Sequence, residues 1–227
     1  MQNKCKLKPT ISCWTHHCNK SVIQLTIDDD DDDGKKCQIC SKLDVPLNLV
    51  TRLDYPLVDA NDTNLCLLLI RPSKGSFIEG FCNKSQLHIG IVDKHCQVLE
   101  YDHSGVKLSQ GEEWSSCLAV CMGDLFGVDV DEKVVGEVWQ TTFKEFMSDE
   151  IKKDWSPELY DPTSRNCFDF AIKFIDKINN QLNSVEKAVC HSKEAFCHRY
   201  VVSKMKTLVR YVALYKKTLS GVRFINI

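Results

Sequence analysis

The stretch "SRNCFDFAIKFIDKI", residues 164–178, runs from a polar approach straight into an amphipathic helix with a cysteine in its first turn. Phe170, Ala171, Phe174, Ile175, Ile178 and Leu182 recur at helical spacing as one apolar stripe, with Asp169, Lys173, Asp176 and Lys177 away from it. That spacing predicts a helix over 166–182. Asn166 is placed to cap it, and Asp169, three positions on, to close a capping box. Cys167 then lies in the first turn, where free N–H groups and the helix dipole favour a thiolate and can steady an oxyanion beside the sulfur.

A thiol nucleophile needs a base, and upstream sequence offers one. "QLHIGIVD" (86–93) alternates, with Leu87, Ile89 and Ile91 on one face and Gln86, His88 and Gly90 on the other. Gly90 keeps the His88 face open, leaving room for a helix end or a substrate. "LCLLLIRPSKGSF" (65–77) reads as a buried strand ended by Pro72 and Gly75. "CQVLEYD" and "GVKL" continue as a meander of short antiparallel strands, and "SCLAVCM" as a further strand. "KVVGEVWQTTFKEFM" carries a helical repeat, "SKEAFCHRYV" and residues near 204–218 are two more helices, and "GVRFINI" is a closing strand. Strands first and helices later, without βαβ alternation, indicate an α+β domain with an antiparallel sheet packed by helices.

Composition narrows the class. A formal net charge of −2 gives no field that recruits nucleic acid or an anionic membrane. The longest apolar run, "LCLLLI", is too short to span a bilayer, and the amino terminus has no secretory pattern. An intracellular protein, cytoplasmic or nuclear, is expected. The 13 cysteines are odd in number, so reduced thiols are expected, and Cys66, Cys117 and Cys121 read as small core residues.

Residues 1–44 differ in texture from residues 45–227 and are taken as a separate Cys/His-rich region with the solvated run "DDDDDD" at 28–33. Cys37-x-x-Cys40 has the geometry of a zinc hook, and Cys13 with Cys18 is the first choice for its second half, with His17 able to replace Cys13. A structural zinc knuckle is the cofactor expectation; an untethered tail or a redox Cys-x-x-Cys pair are its alternatives.

"LHIGIVDKHCQVLEYDHSGV" followed much later by "RNCFDFAIKFI" resembles the circularly permuted papain-like thiol enzymes, the NlpC and lecithin:retinol acyltransferase group. The resemblance implies His88 as base, Cys167 as nucleophile and a polar residue on the following strand that orients the imidazole. That strand offers Glu100, Tyr101 and His103, and Glu100 is closest by count. Asn166, Gly90 and Gln86 are the candidate binding residues around the pair. The order "HC", "CxxC", "LLLIRPSKGSF", "LHIGI", "HSGV", "NCFDFAIKFI", "YVV" and "YVALY" also resembles the makorin-2 opposite-strand protein family over nearly the whole chain. That second likeness implies an architecture and leaves function open. The functional expectation is a thiol-dependent hydrolase or acyltransferase acting on an ester, thioester or amide. The alternative is a catalytically silent scaffold or protein-interaction module with a structural zinc site.

Overall fold

The structure is a computed structural model that describes residues 8–15, 21–26, 51–82, 84–127, 131–182, 192–219 and 223–225. Three strands come first in the chain: β1 (Thr10–Thr15), β2 (Ser21–Thr26) and β3 (Thr51–Leu53). Five follow: β4 (Leu67–Pro72), β5 (Leu87–Val92), β6 (Gln97–Asp102), β7 (Gly105–Gln110) and β8 (Leu118–Cys121). The helices are α1 (Met122–Phe126), α2 (Glu132–Phe146), α3 (Asp149–Asp154), α4 (Cys167–Gln181), α5 (Lys193–Phe196) and α6 (Val202–Thr218), before a last strand, β9 (Arg223–Ile225). The protein is α+β, with two antiparallel sheets of order β7-β6-β5-β4-β8 and β3-β1-β2-β9.

The chain divides into two compact units, Leu57–Met205 and the pair of segments Met1–Pro56 with Lys206–Ile227. This differs from a boundary near residue 44 with everything after it in one domain. The amino-terminal segment draws its partners from the far end of the chain: β9 pairs with β2, Val22 opposite Phe224. Tyr211 packs on Ile11 and donates a 2.6 Å hydrogen bond to the Pro9 carbonyl. Pairing across two hundred residues leaves no local signal in the sequence.

In the larger unit, β4 reads as an unbroken apolar run because it lies between β5 and β8 and is covered on both sides. Helices α2 and α4 pack on each other, and α4 lies against β5 and β6. Their stripes interlock through aromatic edges, Trp139 on Phe174 at 4.9 Å and Phe146 on Phe170 at 5.4 Å, and Trp139 Nε1 donates to the Val92 carbonyl at 3.0 Å. The two helical stretches expected after residue 192 form one run, α5 passing through a turn of π-helix (Cys197–Val201) into α6. Cys66 and Cys117 are core thiols, whereas Cys121 is exposed. Strand alternation on the edge strand β8 turns Cys121 outward, where it precedes α1.

Candidate functional site

A tight loop sets the start of α4. The Asp161 carboxylate accepts from the backbone N–H groups of Thr163 (2.9 Å) and Ser164 (2.7 Å), and Asp161 and Arg165 exchange backbone hydrogen bonds. Asn166 follows as the N-cap: its Oδ1 accepts from the Phe168 N–H at 2.9 Å, and its own N–H donates to Asp169 Oδ2 at 2.8 Å, closing the capping box. Asn166 Nδ2 donates to the Pro162 carbonyl at 2.7 Å. Asp169 also meets Lys193 Nζ at 3.0 Å, which ties α5 to the first turn. With the Phe168 and Asp169 N–H groups taken by the cap, the Cys167 N–H has no hydrogen-bond partner among the described residues.

Cys167 is 5% exposed and His88 9%. His88 Nε2 makes a 2.6 Å contact with Glu100 Oε2. Cys167 is the other electrostatic partner of the imidazole. Burial pulls the imidazole pKa down, but Cys167 and then Glu100 outweigh it and raise the group from 6.5 to about 9. Burial pushes the Glu100 carboxyl up; His88, Ser109 and Lys107 outweigh that and hold it below its ordinary value. His88 and Glu100 thus form a charged pair at neutral pH.

The carboxylate is crowded with donors. The Ser109 hydroxyl donates to Oε1, Lys107 Nζ stands 3.6 Å from the same oxygen, and Arg71 Nη2 is 4.0 Å from Oε2. Arg71 lies directly opposite His88 in the β4–β5 register. Its guanidinium stacks 4.4 Å from the Trp114 ring centre, and Nη1 donates to the Glu113 carbonyl at 2.9 Å. The Trp114 ring lies 5.6 Å from the imidazole.

Of the three candidates for the orienting position, only Glu100 meets His88. Tyr101 is buried in an aromatic cluster with Trp155, Tyr160 and Phe170, its hydroxyl donating to the Ser156 carbonyl, and His103 is exposed at the β6–β7 turn. Gln86 is exposed ahead of β5, where its carbonyl accepts from the Ser73 N–H. The space beside Gly90 is not open: Trp114 and Val98 fill it. Cys13 lies in β1, half-buried against the cluster of Ile11 and Tyr211. His17, Cys18, Cys37 and Cys40 lie outside the described residues. Arg71, Lys107, Ser109 and Trp114 had not been singled out in the sequence. A charged residue ending the apolar run "LLLIR" was the one local hint.

The fold and site define an α+β chain that carries a buried thiol, imidazole and carboxylate at the junction of one helix end and a sheet. It belongs to the DUF4796 C-terminal family, whose model matches residues 50–218. The chain is also 24% identical to the human MKRN2 opposite strand protein over 208 residues, 88% of this chain and 82% of that protein. No solved structure matches it. No helix among the described residues is long and apolar enough to cross a membrane.

Proposed function

We propose that the protein is a thiol-dependent hydrolase or acyltransferase acting on an ester, thioester or amide. The observation that carries this reading is the 2.6 Å contact between Glu100 and His88 at the mouth of the helix that Cys167 opens. The likeness of the His-x-Gly strand and the Asn-Cys helix start to permuted papain-like thiol enzymes supports it as well. Cys167 sulfur attacks the acyl carbon, and the imidazolium of His88 gives its proton to the leaving group as that bond breaks. The Cys167 N–H, unused by the cap, donates to the oxyanion in this scheme. Water or an acceptor alcohol or amine then attacks the acyl-enzyme, His88 takes its proton, and the thiolate leaves. Glu100 orients the imidazole and balances its charge throughout.

One observation favours the silent-scaffold reading: Cys167 is 5% exposed, and Trp114 occupies the face beside Gly90. The two readings separate in the alkylation rate of Cys167 against pH, followed by peptide mass spectrometry, in wild type and His88→Ala. The enzyme reading predicts an inflection well below the free thiol value of ~8.5 that rises when His88 is removed, together with turnover on a panel of thioesters. A Cys167 that is inert and indifferent to His88 retires it.

A further inference from the structure

We propose that Ser109 is a positioning residue that acts through Glu100, and this rests on the Cys167–His88 reading above. A carboxylate turns freely about its last torsion, which is broad and two-fold. To present Oε2 at 2.6 Å from His88 Nε2, something must hold the other oxygen. The Ser109 hydroxyl does so by donating to Oε1, and each carboxylate oxygen then has its own donor.

The strand itself shows that this serine is placed there against the apolar pattern. In β7 the burial is inverted: Leu108 is 41% exposed while Ser109 is 7% exposed. Fold stability alone favours an apolar side chain at the covered position and a polar one outside. The register explains the geometry. Val98 stands opposite Ser109 and Glu100 opposite Lys107, so Ser109 lies on the diagonal from Glu100, within reach of a long side chain. Among the described residues the charged or titrating neighbours of the carboxylate are Arg71 from β4, His88 from β5, Lys107 from β7, and Cys167 of α4 through the imidazole. Lys107 is the weaker alternative anchor, since it is 43% exposed and closer to Asp102 Oδ2 (2.8 Å) than to Glu100 Oε1 (3.6 Å). An exposed, shared ammonium is screened and mobile; a buried hydroxyl is neither.

The test uses the full chain, with iodoacetamide as the probe of Cys167 and an NMR titration of the His88 ring as a second readout. Ser109→Ala should slow alkylation below pH 7 about tenfold, because the carboxylate that orients the imidazole loses the donor on its second oxygen. The same variant should lower the His88 pKa. Ser109→Thr, which keeps the hydroxyl, should restore both, and Lys107→Gln should change both less than Ser109→Ala does. A folded Ser109→Ala protein with the wild-type profile overturns the proposal while leaving the dyad intact, as does a larger effect from Lys107→Gln. A wild-type Cys167 that ignores His88 overturns the dyad and this proposal together.

Discussion

Replacing Gly90 by alanine tests the packing that holds the imidazole. A methyl built on this backbone would stand 2.5 Å from Val98 Cγ1 and 2.7 and 2.8 Å from Trp114 Cη2 and Cζ2, well inside the ~3.5–4.0 Å at which carbon atoms rest. Neither neighbour has room to retreat, since both are fully buried. The Trp114 main chain is bonded on both sides, its N–H to the Gly111 carbonyl (3.0 Å) and its carbonyl to the Ala60 N–H (2.9 Å), and Arg71 covers its ring. Overpacking of a filled core costs about 1–3 kcal/mol; with both neighbours pinned, the upper part of that range, about 2–3 kcal/mol, applies here. For a chain of this length that is a fall in Tm of roughly 4–12 °C.

Urea denaturation and thermal melts of Gly90→Ala measure the cost, and a double variant identifies its origin. Trp114→Phe removes the two clashing ring atoms and forfeits no hydrogen bond, because Trp114 Nε1 has no partner among the described residues. The double variant should therefore be more stable than the sum of the two single losses. A Gly90→Ala protein within about 0.5 kcal/mol of wild type, the range of an ordinary surface substitution, would refute the packing argument. So would strict additivity with Trp114→Phe.

The raised imidazole of His88, held by Cys167 and then by Glu100, makes stability depend on pH. The imidazole pKa is raised in the folded state, so its contribution is full below the unfolded value of 6.5 and is lost as pH rises through about 9. The rise corresponds to roughly 3 kcal/mol, of which Cys167 is the larger source and Glu100 the next. Urea denaturation below pH 6.5 and above pH 9 should show that loss in wild type and a clearly smaller one in Glu100→Gln; equal losses would show that Glu100 does not hold the imidazolium. The zinc expectation is open to a direct measurement of bound metal. Protein purified without chelator should carry about one zinc, lost by Cys37→Ser and by Cys13→Ala. Retention in Cys13→Ala with loss in His17→Ala would put His17 in place of Cys13, and a metal-free wild type would retire the knuckle.

What was legible in the sequence is what depends on near neighbours. The helix from Cys167, its Asn166 cap and the Asp169 box follow from residues within one or two turns, and the β5–β6–β7 meander follows from short turns. The division of the chain was hidden, because β2 finds β9 and Ile11 finds Tyr211 only after the chain has closed on itself. The site shows the same divide. Glu100 was chosen by count along its strand, but what distinguishes it from Tyr101 is strand parity: one residue further points to the opposite face, and Tyr101 goes into the aromatic cluster while Glu100 goes to His88. Ser109 and Arg71 come from strands on either side, placed by register that a single sequence does not display. Trp114 arrives from the segment after β7 and turns the apparent opening at Gly90 into a packed wall. A glycine two residues from a histidine on a strand therefore has two physical readings, an approach path or a seat for a large ring. Here the ring occupies the seat, and the face of the strand beside His88 is closed at Gly90.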